Sequence, residues 1–283
     1  GQNSLDQALI GKKLKLKIEI HEKSKKSISD SKFLKGLYDH CSSSESGIPP
    51  HLLPDPDKKF RYMVIEDFNT TGVIGDINFN NILGHDNQNY FNLFRSIGMT
   101  SKDSDNTDTM GSWGIGKNMY AQVSAVSAFL GYTCREETPV ELLTGMSILK
   151  LHTVGGVGYK NIGNYGYGNS DNNELVMPID QRELIEEFKS EFNITRSSSN
   201  EHGLSLVVPC LRDEIIAENI IKAFVKTWSL AILKDKMEIH LKSGDIDIML
   251  LAAHLAEQCE DGFGSILVAS RDSDFTYPAR AFQ

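Results

Sequence analysis

The 283-residue chain has no run of about 18 apolar residues and no signal-peptide pattern, which excludes a helical membrane span and leaves a soluble, cytoplasmic protein as the expectation. Positive charge is in short supply. Lys and Arg number 29 against 38 Asp and Glu, a net charge of −9, so an unaided grip on a nucleic-acid backbone is disfavoured and only a local basic groove remains open. The four cysteines, Cys41, Cys134, Cys210 and Cys259, contain no C-x-x-C pair, which argues against a disulfide framework and a zinc knuckle. His152 and His202 have no second His or Cys at ligand spacing and read as ordinary polar residues. No internal repeat is present. The chain opens on Gly1 rather than Met, and Gln2 to Ala8 reads as the middle of a helix, so a piece of a longer protein is expected.

An apolar share of 40% supports a globular core. Lys13 to Glu22 alternates, with Leu14, Leu16, Ile18 and Ile20 on one side, the period of a half-buried strand. Ser31 to Cys41 is expected to be a short helix, Ser42 to Pro56 a loop, and Arg61 to Glu66 a strand running into Asp67. Asp76 to Met110, polar except around Tyr90 to Phe94, reads as a loop or mobile lid. Gly111 to Gly116 opens a helix expected over Lys117 to Leu130. A strand follows at Gly145 to Val154, then a Gly/Asn/Tyr-rich insertion at Gly155 to Asn173. Asp180 and Glu183 suggest a capping box for a helix through Phe192. Gly203 to Pro209 reads as a strand, Asp213 to Leu233 as a long helix, and Met237 to Leu241 as a strand. This order suits an α+β sandwich, with helices on one face of a mixed, mostly antiparallel sheet.

Three segments carry chemistry. Gln2-Asn3-Ser4-Leu5-Asp6 presents an amide oxygen, a hard ligand that suits Mg²⁺. Val64-Ile65-Glu66-Asp67-Phe68-Asn69-Thr70-Thr71-Gly72 places a carboxylate at a strand end, able to accept a hydrogen bond from an amino group. Gly111-Ser112-Trp113-Gly114-Ile115-Gly116-Lys117 brings backbone amides and one full positive charge to a helix start, a natural anion site. Each alone also has a plain structural reading, as a surface Asn, a turn-forming Asp or a tight turn.

In this order the three resemble the N-box, the D-x-G-x-G box and the glycine-rich second box of the GHKL (Bergerat-fold) ATPases, the group of gyrase, the large heat-shock chaperone, histidine kinases and MutL. The likeness spans about residues 1 to 241 and is greatest to bacterial ATPases with a G-x-W-G-x-G-K box, some of them encoded near defence or mobile elements. It implies a Bergerat-type sandwich over 1–243 that binds ATP and Mg²⁺. The implied roles are Asn3 on Mg²⁺, Asp67 on the adenine amino group, and Thr71, Gly72, Gly111, Gly114, Gly116, Lys117 and Ser205 around the nucleotide. Asn69 stands where the family has its first Gly, Gly72 comes one position late, and Leu204 of Gly203-Leu204-Ser205-Leu206 stands where the family has Thr. Asn tolerates the left-handed region, so the turn is expected to survive. The catalytic Glu that hydrolytic members carry four residues before the Asn falls upstream of Gly1. The resemblance thus supports ATP binding and a nucleotide-operated switch, with a homodimer or a protein partner, and leaves a non-hydrolysing module as an alternative.

Two decoys compete. Gly111 to Lys117 fits the start of a P-loop, but Asn118 replaces the required Ser or Thr and no strand precedes it. Gly155 to Gly168 lacks the G-x-G-x-x-G spacing of a dinucleotide loop.

The tail, 244–283, is expected to begin a helix at Gly244-Asp245-Ile246-Asp247 running to Cys259, followed by a strand ending Ser270-Arg271-Asp272-Ser273-Asp274-Phe275. It resembles part of a PIN-like NYN nuclease, which implies a second metal site at Asp247, Asp272 and Asp274 and a nucleic-acid substrate. Helix caps and turn residues are the plain alternative.

Overall fold

The computed structural model describes residues 2–79, 88–95, 115–138, 140–169, 172–197, 200–251 and 269–270. In chain order the elements are α1 (Gln2–Asp6), β1 (Leu14–His21), α2 (Lys35–Cys41), β2 (Tyr62–Phe68), α3 (Asn89–Phe94), α4 (Ile115–Gln122), β3 (Ala128–Cys134) and β4 (Glu141–Ile148). They continue as β5 (His152–Val154), β6 (Val157–Tyr159), β7 (Ile162–Tyr165), β8 (Tyr167–Asn169), β9 (Asn172–Met177), α5 (Arg182–Glu191), β10 (Gly203–Val208), α6 (Ala217–Leu233), β11 (Met237–Ser243), β12 (Ile246–Leu250) and β13 (Ala269–Ser270).

One nine-stranded sheet organises the fold, in the order β13-β12-β11-β1-β2-β10-β3-β4-β7. Among these pairs β1 and β11 run parallel and the rest antiparallel, so the sheet is mixed and mostly antiparallel, as the sequence suggests. The alternation in β1 buries Leu14, Leu16, Ile18 and Ile20 on one face, with the side chains of Met237, Ile239 and Leu241 of β11 in the same cluster. α3, α4 and α6 contribute to that cluster through Tyr90, Phe94, Ala121, Ile221 and Val225.

A second cluster covers the other face. There α2 and α5 contribute Cys41, Ile185 and Phe188 against Val64, Leu130, Tyr132 and Val207. Helices therefore cover both faces of the sheet rather than one. The reason lies in β2 and β3, whose residues are buried on both sides and need apolar cover on each.

Several local expectations change. Helical spacing through Leu130 ends early, because α4 stops at Gln122 and Val126 and Leu130 face the second cluster before and within β3. The apolar insert in the expected lid is α3, whose Tyr90, Phe91 and Phe94 are buried. Gly131 makes that possible, since a Cβ there would stand 2.7 Å from the Phe94 ring. The insertion after Gly155 consists of short strands, one of which, β7, extends the main sheet beside β4. The capping box is absent: Gln181 occupies the N-cap of α5 without a side-chain bond. Over 244–250 the helix expected from Gly244 is instead a hairpin, and the rest of that expected helix, 252–259, lies outside the described residues. Gly244 turns at φ +56, and β12 pairs antiparallel with β11 and continues the sheet. No helix among the described residues is long and apolar enough to cross a membrane.

Candidate functional site

β2 carries the acidic box at its C-terminal end, where Glu66, Asp67 and Phe68 close the strand. Alternation sends neighbouring side chains to opposite faces, so Glu66 and Asp67 serve different surroundings. Beyond Phe68 the chain turns through Asn69 at φ +63 and Gly72 at φ +71. Asn at the first position holds the left-handed turn, as expected from its tolerance of that region. Its side-chain Nδ2 also donates to the Lys13 carbonyl at 2.7 Å. Gly72 has no substitute, because a Cβ there would lie 2.3 Å from the Cys134 carbonyl oxygen.

The residues that directly follow α1 meet the second segment at this turn. The segment leaving α1 forms a bridge at Ala8 and Thr70, and the Leu9 N–H donates to the Asn69 carbonyl at 2.8 Å. Thr71 lies beside Gln7, with its hydroxyl 2.9 Å from the Gln7 side-chain oxygen and 3.1 Å from the Gly72 carbonyl. Its hydroxyl is thus engaged within the protein. Asn3 lies in α1, and its side chain falls outside the described residues.

Asp67 is 7% exposed. Its Oδ1 accepts the Thr70 hydroxyl at 2.9 Å and the Leu204 N–H at 2.7 Å. Among the described residues Oδ2 has no hydrogen-bond donor from the protein. Leu204, whose side chain has no donor, reaches the carboxylate through its main chain. Thr133 from β3 supports the same corner, accepting the Val73 N–H at 2.9 Å and donating to the Gly203 carbonyl at 3.0 Å. Tyr120 of α4 is close enough to feel Asp67: burial first, then this carboxylate, pushes its phenol up to about 12.

The third box is present in part. α4 begins at Ile115 as the glycine-opened helix requires, with Gly116 and Lys117 in its first turn. Gly111, Gly114 and the Lys117 side chain lie outside the described residues. Ser205 is not brought to the Asp67 carboxylate. It pairs in register with Glu66, and its hydroxyl donates to Glu66 Oε1 at 2.9 Å and accepts Arg196 Nε at 3.3 Å.

A cavity of about 420 Å³ lies just past the turn, lined by Gly75, Asp76, Ile77, Asn78, Arg135, Glu137 and Thr138. Asp67 does not line it.

The second, acidic site does not assemble among the described residues. Asp247 faces His240 across the β11–β12 hairpin at 2.5 Å, an ion pair when the imidazole is protonated. Asp272 and Asp274 lie outside the described residues, and no group of three His, Cys, Asp or Glu side chains suited to a metal occurs among those described.

Two groupings escaped the sequence reading. Glu66 and Arg196 form a buried network, and His40 meets His152, with Nδ1 and Nε2 2.8 Å apart. Nothing in local spacing announces either, since the partners are over 100 residues apart in sequence. No family model matches the chain, and no curated protein matches it in sequence.

Proposed function

We propose that this chain binds ATP with Mg²⁺ in a GHKL-type pocket and works as a nucleotide-operated conformational switch. The observation that carries the reading is the half-used carboxylate of Asp67. Oδ1 of this largely buried carboxylate takes two protein donors, whereas Oδ2 takes none among the described residues and is not sealed from solvent, so it is open to a donor from outside the chain. An exocyclic amino group of adenine is the donor such an oxygen fits. The contact between Gln7 to Leu9, directly after α1, and the Asn69 to Gly72 turn supports the reading too, because it brings the segment following Asn3 beside the turn that follows Asp67.

In this reading Asn3 contributes an oxygen to Mg²⁺ and Lys117 a charge to the phosphates. Mg²⁺ would supply charge neutralisation at the phosphates. The switch would work by ordering of a segment on nucleotide binding, a known mode of switching. A homodimer or a protein partner would read the change, and a cytoplasmic setting suits the ligands. A role in bacterial defence rests on the resemblance alone.

The test is calorimetric titration with ATP and Mg²⁺. Asp67→Asn exchanges a charged acceptor for an amide, a loss of roughly 1.5 to 3 kcal/mol, or about 10- to 100-fold in affinity. Equal affinity in both proteins would remove Asp67 as the base anchor.

A further inference from the structure

Thr195, Arg196, Leu204 and Ser205 grip the end of β2 at three successive residues. Glu66, 1% exposed, accepts the N–H of Thr195 at 3.0 Å and of Arg196 at 3.2 Å, and the hydroxyls of Thr195 at 2.5 Å and Ser205 at 2.9 Å. Arg196 is fully buried. Its Nη2 donates to the Asp67 carbonyl, its Nη1 to the Glu201 carbonyl, and its Nε to the Ser205 hydroxyl at 3.3 Å. Its guanidinium also lies 4.5 Å from the centre of the Phe68 ring.

Glu66 is thus held by its side chain, Asp67 by its carbonyl and Phe68 by its ring. Gly203 completes the grip. A Cβ there would stand 2.2 Å from the Asp67 carbonyl oxygen and 2.8 Å from both terminal nitrogens of Arg196, so only glycine lets the guanidinium and the β2 backbone close together. The next residue, Leu204, donates its N–H to Asp67 Oδ1. One loop therefore holds the main chain of Asp67 and aims its carboxylate.

Buried charge is an expensive way to hold a strand, since apolar residues of similar volume often do as well or better. What guanidinium and carboxylate add is direction, because each bond fixes an angle as well as a distance. We propose that Arg196 is a positioning residue for base selection: it sets Asp67 so that Oδ2 favours purine nucleotides bearing a 6-amino group over those bearing a 6-oxo group. This rests on the nucleotide reading above. A 6-amino group donates to the carboxylate, whereas a 6-oxo group meets it lone pair to lone pair.

The experiment measures dissociation constants of ATP, ITP and inorganic tripolyphosphate for the wild-type chain, Asp67→Asn, Arg196→Lys and Ser205→Ala, with thermal unfolding of each. In Arg196→Lys, which keeps the charge but loses the fork, ATP affinity is expected to fall about tenfold. ITP and tripolyphosphate should stay within about twofold, so the ATP-to-ITP preference collapses by a similar factor. A wild-type preference retained in Arg196→Lys, or an equal loss for all three ligands, overturns the proposal. Should Arg196→Lys fail to fold, Ser205→Ala decides. It removes the hydroxyl that takes the Arg196 Nε bond and ties the guanidinium to the Glu66 side chain, leaving only the main-chain bond between the two residues, and an unchanged preference there also overturns the proposal. A wild-type chain that does not bind ATP sinks the nucleotide reading itself. ATP binding that needs Asp67 but ignores Arg196 and Ser205 sinks only this inference.

Discussion

Gln7 and Thr71 are joined twice: the Thr71 N–H donates to the Gln7 carbonyl at 3.0 Å, and the Thr71 hydroxyl lies 2.9 Å from the Gln7 side-chain oxygen. The pair ties the segment after α1 to the turn that follows Asp67. With the Leu9 N–H on the Asn69 carbonyl, these main-chain bonds fix the segment after α1 against the turn.

Gly72 is the position in that turn least able to accept a side chain. Gly72→Ala combines φ +71 with a Cβ 2.3 Å from the Cys134 carbonyl, so β3 must move. We expect a loss of about 2 kcal/mol or more in urea unfolding. Gly11→Ala is the control. It shares a positive φ of +75 but meets nothing within 4 Å, so it should cost only about 1 kcal/mol. Equal losses would show that the Cys134 contact does not matter.

Lys117 stands in the first turn of α4. If its charge faces phosphate, Lys117→Ala should weaken ATP binding by about tenfold or more and leave adenosine binding within about twofold. Parallel losses for both ligands would place Lys117 elsewhere.

The histidine pair gives a pH prediction. His152 Nδ1 lies 2.8 Å from the Lys150 carbonyl and must donate to it, which leaves Nε2 to accept from His40 Nδ1. Desolvation first, then the electrostatic influence of the neighbouring His152 ring, push His40 below its ordinary value of 6.5, against a smaller opposing pull from Asp39. A lowered folded value means that the fold prefers neutral His40. The stability from this preference is present above pH 6.5 and is lost as pH falls through the lowered value. Thermal midpoints should therefore drop between about pH 7.5 and about pH 5.5, and drop less in His40→Asn, which keeps a donor but does not titrate. The same pH slope in both proteins would exclude His40 as the source.

One-sided periodicity made much of the fold readable. The alternation in Leu14 to Ile20 placed β1 correctly because a strand with one buried face writes its geometry into every second residue. Asp67, Gly72 and the start of α4 were readable for a related reason: a strand end, a left-handed turn and a glycine-opened helix are local events with local residue preferences.

Ile246 to Leu250 was misread as the start of a helix. Apolar runs of that length fit either element, and the turn at Gly244 and pairing with β11 decide it. The resemblance of Gly203-Leu204-Ser205-Leu206 implies a place for Ser205 at the nucleotide, whereas the pairing of β10 with β2 turns its hydroxyl to Glu66. The sequence by itself determined the buried face of β1, the left-handed turn after Asp67 and the order of the three segments. Only the tertiary structure decided which oxygen of Asp67 is occupied, that Arg196 holds its carbonyl, and that His40 meets His152. Those contacts join residues more than 100 positions apart, and strand register and helix docking, not local preference, bring such residues together.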